Sequence, residues 1–87
     1  MISIDVREVK SENALHLLLR EEFGFPEYYG MNWDAFDECI RDFAPSQPVI
    51  VSGLGSLAER FPIDAELLKT SLLEAQQDMA GFEVRFC

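Results

Sequence analysis

Seven carboxylates, Glu21, Glu22, Glu27, Asp34, Asp37, Glu38 and Asp42, fall in one quarter of the chain with a single base, Arg41, among them. Carboxylates packed this densely suggest three kinds of chemistry. Asp34 and Glu38, four residues apart, could pass a proton to and from a substrate, or hold Mg²⁺. Neither use finds support elsewhere, because the sequence offers no third ligand and no substrate pocket around them. The third is recognition, in which fixed negative groups are offered to a cationic cleft. Against all three stands an ordinary solvated helix face carrying more acids than bases.

Other reactive residue types are sparse. His16 is the only histidine, and it sits beside Leu15, Leu17, Leu18 and Leu19, where a structural role is expected. Cys39 falls on the apolar arc of its segment, so it reads as a buried, inert thiol rather than a nucleophile. The two cysteines, Cys39 and Cys87, have no metal-ligand spacing and are too few for a disulfide scaffold. Gly53-Leu54-Gly55-Ser56-Leu57-Ala58 fits the Gly-x-Gly-x-x-Gly/Ala pattern of dinucleotide sites, but Pro62 cuts the following helix short. No second acid-bearing strand tip follows it, so a tight turn is the simpler reading. No catalytic residue, metal site or cofactor is expected.

The elements that must position the acids can be read from periodicity. Ile2–Val6 alternates apolar and polar residues, as a strand with one buried face does. Ser11 can cap a helix through Glu22 with Ala14, Leu15, Leu18 and Leu19 as its stripe, ended by Gly24 and Pro26. Phe23 and Phe25 are expected to tuck beneath that turn. Asn32 can cap a second helix to about Phe43. At about 100° per residue, Phe36, Cys39, Ile40 and Phe43 lie on one side of it and Asp34, Asp37, Glu38, Arg41 and Asp42 on the other.

Pro48–Val51 reads as a short buried strand, followed by a single helical turn before Pro62. Asp64 can cap a long helix to about Met79, with Leu67, Leu68, Leu72, Ala75 and Met79 near one face. Gly81 ends it, and Phe82–Phe86 alternates again. Strands separated by helical stretches imply parallel pairing with helices covering the sheet, a small α/β domain spanning 1–87.

Between the first two helices lies Pro26-Glu27-Tyr28-Tyr29-Gly30-Met31-Asn32-Trp33. Aromatic residues with a polar handle are favoured anchors of protein interfaces. Trp33 borders the apolar arc and is expected in the core, whereas Tyr29 is expected at the surface. Gly30 would let a partner approach the backbone closely.

Composition removes other classes. Leu, Ile, Val and Phe make up 27 of 87 residues, enough for a hydrophobic core. With 16 acids against 7 bases and a net charge of −9, the chain should be repelled by nucleic acid and by anionic membranes and drawn to basic partners. The longest apolar runs, Leu17–Leu19 and Val49–Val51, fall far short of a membrane span. Met1–Lys10 lacks the basic-then-apolar form of a secretory signal, and a reduced cytoplasm is the expected location.

Pro26-Glu27-Tyr28-Tyr29-Gly30, then Asn32-Trp33-Asp34-Ala35-Phe36 and Cys39, resemble the barstar family of intracellular ribonuclease inhibitors. The order of strands and helices extends the likeness over essentially the whole chain. The resemblance implies a three-stranded parallel sheet covered by helices, a ribonuclease as partner, and inhibition by plugging its active site. It implies that the inhibitory surface falls on Tyr28, Tyr29, Gly30, Asn32, Trp33 and Asp34 and continues to Glu38; Asp37 and Arg41 lie on the same helix face and are candidate contacts by that position. A further carboxylate of the family, on the last helix, corresponds to Glu74 or Gln76. Such a protein is expected to be monomeric when free, with no nucleic acid or membrane partner.

Three positions depart from the family pattern. Glu38 replaces its dominant aspartate, Asp37 replaces a tryptophan, and Arg41 adds a positive charge to a face that should meet cations. These changes leave the expected fold intact and bear on the identity of the target. The other reading is an acidic interaction module of the same fold whose partner is a basic protein other than a nuclease.

Overall fold

The alternation of Ile2, Ile4 and Val6 with polar residues is realised as a strand at one edge of a three-stranded sheet. The computed structural model describes residues 1–87. Its elements are β1 (Ile2–Asp5), α1 (Glu12–Phe23), α2 (Trp33–Asp42), β2 (Val49–Ser52), α3 (Leu54–Arg60), α4 (Pro62–Asp78) and β3 (Val84–Phe86). The strands pair in parallel in the order β1-β2-β3, with Ile4 opposite Val51 and Val51 opposite Phe86.

Because the sheet grows in one direction, right-handed crossovers place the helices of both connections on the same face. The burial pattern agrees. Ile4, Val6, Val49, Val51 and Val84 are buried on one side, while Ser3, Asp5 and Arg85 on the other are exposed. The helices therefore cover one face of the sheet and leave the second to water.

The helix signals operate largely as expected. The Ser11 side chain accepts a hydrogen bond from the Ala14 N–H, and Gly24 closes α1 at φ 71°. Asn32 accepts from the Ala35 N–H at 2.7 Å to start α2. Phe36 and Ile40 of α2 are fully buried in the same hydrophobic core as Leu15 and Leu19 of α1 and Leu68 and Leu72 of α4. Each such side chain contributes about 2–3 kcal/mol by leaving water, enough to fix the face that α2 turns inward.

Four expectations are corrected. Phe43 lies one residue past α2 and is 40% exposed rather than facing the core. α3 is a seven-residue helix rather than a single turn, because Pro62 does not stop it but opens α4 instead. Proline is well placed at a helix start, where its missing N–H has no partner to lose. The two helices meet at Phe61, whose N–H donates to the Leu57 carbonyl and whose own carbonyl accepts from Ala65.

Asp64 accordingly lies in the first turn of α4 rather than capping it. Leu67 is largely outside the buried stripe, which runs through Ala65, Leu68, Leu72 and Ala75. The Gly53-x-Gly segment has a local steric cause. Gly53 takes φ 85°, and a Cβ there would lie 2.0 Å from Arg7 Cγ.

Candidate protein-binding site

The acidic face of α2 and the loop before it are held by different forces at their two ends. At the loop end Tyr29, expected at the surface, is instead buried, while Tyr28 beside it projects. Tyr28 is 80% exposed and Tyr29 is only 4% exposed. The Tyr29 ring packs against Phe25, and its hydroxyl lies 2.6 Å from His16 Nδ1 on α1.

Burial pushes the Tyr29 phenol well above its ordinary value, with Cys39 adding to the effect. Burial also pushes the His16 imidazole below 6.5, partly opposed by the Asp64 carboxylate. Both groups are therefore neutral at pH 7 and share one hydrogen bond, and the Tyr29 hydroxyl also lies 3.5 Å from the Asn32 carbonyl. Tyr29 is a buried anchor rather than a surface contact.

That anchor shapes the turn. The Tyr29 N–H donates to the Pro26 carbonyl at 3.0 Å. Met31 takes φ 55°, the one residue other than glycine in the left-handed region. Such a conformation persists only where the surroundings enforce it. Here the enforcing groups are Tyr29 on one side and Asn32 on the other, whose side chain donates to the Gly30 carbonyl at 3.1 Å while capping α2. Gly30 is exposed, and a Cβ added to it would press on the Ala35 Cβ at 3.3 Å. The loop thus passes close over the start of α2 at this glycine.

Trp33 is half-buried, with its ring against His16 and Phe36 and its indole N–H donating to Asp64 Oδ1 at 2.9 Å. It serves the interior, as its place on the helical wheel suggests. Beyond it, Asp34, Glu38 and Asp42 are exposed, and none is paired with a cation. The one base of the helix is neutralised twice. Arg41 reaches Asp37 Oδ1 at 2.6 Å and Asp78 Oδ2 of α4 at 2.6 Å. Arg41 and Asp37 are therefore committed to holding α2 against α4, and the field of the free carboxylates is not cancelled by an unpaired cation beside them.

Glu74 is exposed one helical turn before Asp78, on the element that packs against α2. Gln76 is spent on structure, its Oε1 accepting the Val84 N–H at 2.7 Å where β3 begins. Cys39 is buried, and burial, reinforced by Asp42 and Glu38, pushes its thiol up, so it remains a protonated and unreactive side chain. Nowhere do three His, Cys, Asp or Glu side chains converge as metal ligands would.

A family model described as Barstar (barnase inhibitor) matches residues 1–87, the whole chain. The chain belongs to the barstar family. Barstar-family members bind and inhibit barnase-type ribonucleases and are not enzymes. The three-stranded parallel sheet with its helices is the α/β fold consistent with barstar. Among curated proteins, none matches the sequence.

On this barstar-family scaffold the residues singled out from sequence fall into two groups. Tyr28, Gly30, Asn32, Asp34, Glu38 and Glu74 reach solvent; Tyr29, Trp33, Asp37 and Arg41 are wholly or partly engaged within the molecule. Sequence reasoning did not assign Asp64 and Asp78 to this region. Each acts across the fold, 31 and 37 residues from its partner, and no local pattern encodes that pairing.

Proposed function

We propose that this protein is a cytoplasmic ribonuclease inhibitor that blocks a cationic active-site cleft with α2 and the projecting Tyr28–Gly30 turn. One observation carries the reading: Asp34, Glu38 and Asp42 stand exposed and unpaired along α2 while Arg41 is held by two carboxylates. A ribonuclease cleft must present cations to phosphate, and carboxylates on a rigid helix can occupy the same positions. Tyr28 beside them supplies an aromatic surface for the rim of such a cleft.

The test is an RNA-cleavage assay with a barnase-type ribonuclease and increasing inhibitor. Cleavage should be titrated away, and Asp34→Ala and Glu38→Ala should each weaken binding by more than about 2 kcal/mol, roughly 30-fold. Association should slow as salt is raised. Variants that bind as tightly as the unmodified protein would reduce α2 to a solvated face.

A second reading, a basic partner that is not a nuclease, draws on Asp37 and Glu38. Asp37 is tied to Arg41 where the family carries a tryptophan, and Glu38 extends its carboxylate on a longer arm. Retained binding to a basic protein with no inhibition of RNA cleavage would favour it.

A further inference from the structure

Beneath the Tyr28–Asn32 turn, four polar or amphipathic side chains from α4, α2, α1 and the turn itself form a continuous path. Asp64 in the first turn of α4 accepts the Trp33 indole N–H at 2.9 Å. The Trp33 ring lies 4.6 Å, centroid to centroid, from the His16 ring on α1. His16 Nδ1 lies 2.6 Å from the Tyr29 hydroxyl, and Tyr29 precedes the left-handed Met31. His16, Tyr29 and Asp64 are all buried, and no buried side-chain nitrogen or oxygen in the molecule lacks a partner.

A carboxylate in the first turn of a helix already suits that helix's own dipole. Dipole compensation does not require burial, however, and burying a carboxylate is costly without a donor. Asp64 is only 7% exposed and turned toward the indole rather than to water.

We infer that Asp64 is a positioning residue for the Tyr28–Asn32 turn, acting from α4 through Trp33 and His16 on Tyr29. By fixing the indole, Asp64 fixes the surface against which His16 rests, and His16 in turn holds the Tyr29 hydroxyl. Tyr29 then keeps Met31 in its unfavourable conformation and leaves Tyr28 projecting. The consequence for ribonuclease binding rests on the inhibitor reading; the positioning itself does not.

Trp33 is the only tryptophan, so fluorescence reads this path directly. The probes of the turn are the Tyr29 N–H, bonded to the Pro26 carbonyl, and the Ala35 N–H, bonded to Asn32 Oδ1. In Asp64→Ala these two amides should exchange with solvent about tenfold faster, and Trp33 emission should shift to the red. In Asp64→Asn the amide oxygen keeps the indole bond, so exchange should match the unmodified protein. The groups facing His16 are the Tyr29 hydroxyl from the loop and the Asp64 carboxylate from α4. The pH midpoint of Trp33 quenching should therefore move to lower pH in Asp64→Asn, because a charge favouring the imidazolium is gone.

Faster exchange confined to α4 in Asp64→Ala, with Tyr29 and Ala35 unchanged, would overturn the inference and leave Asp64 serving only its own helix. Should the alanine variant fail to fold, an unmoved quenching midpoint in Asp64→Asn would overturn it instead. With barnase as the probe, Asp64→Ala should dissociate faster while the salt dependence of association is retained. A protein that never binds barnase would sink the inhibitor reading alone, since exchange and fluorescence still decide the role of Asp64.

Discussion

The two ends of α2 are fastened by opposite means. At its N-terminus the main contacts are screened from water: a buried phenol on an imidazole and a part-buried indole on a carboxylate, with an asparagine cap at the surface above them. Toward its C-terminus the fastening is an ion triplet at the surface, Asp37–Arg41–Asp78, with side chains between a third and two-thirds exposed. Buried hydrogen bonds resist salt but are sensitive to protonation and to any loss of a partner. Exposed ion pairs tolerate the loss of a partner but weaken as salt screens them. The helix that offers the free carboxylates is therefore held largely out of reach of salt where it meets the start of α4, and by screened charge where Arg41 meets its end.

The sharpest way to break this contrast is Trp33→Ala. The substitution removes an indole packed on His16 and Phe36 and leaves Asp64 buried without its donor. Urea unfolding followed by circular dichroism should show a loss of about 3–4 kcal/mol. Tyr29→Phe keeps the ring but strands His16 Nδ1, and should cost about 1–2 kcal/mol. A loss below about 0.5 kcal/mol would mean that the phenol–imidazole bond does not hold this end.

Acid provides the next test. Folding lowers the His16 pKa below 6.5, so in the window beneath 6.5 the unfolded chain binds the extra proton. The contribution is complete above 6.5 and is lost as pH falls through the folded value. Denaturation midpoints measured from pH 7.5 to 5 should decline, and His16→Gln should flatten that slope. Asp5, beside Arg7 and lowered to about 2, acts in a separate and more acidic window.

The smallest effect belongs to Arg41→Gln. Its thermal midpoint should move little, and the difference should vanish in 1 M salt. If it persists there, the surface triplet is holding the helix by packing rather than by charge.

Much of this was legible in the sequence because α2 is strongly two-sided. The wheel that separated Phe36, Cys39 and Ile40 from Asp34, Glu38 and Asp42 is the arrangement found. Phe43 escaped it because the helix ends one residue earlier, and periodicity does not fix an end. Tyr29 was misassigned for a different reason. A loop has no period, so choosing between adjacent aromatics depends on what waits beneath them, here a histidine 13 residues upstream. Asp64 looked like a cap because aspartate often is one. Its actual role depended on Pro62 opening α4 and on an indole 31 residues away.

The sheet adds its strands in the order in which the chain supplies them, β1, then β2, then β3. Each strand thus pairs with its neighbour in sequence, and the carboxylates of α2 lie in the first half of the chain. The residue that fastens Trp33 arrives only with α4. The acidic helix and the carboxylate that accepts its indole thus lie in opposite halves of the sequence, so the face reaches its final form only when the whole domain folds.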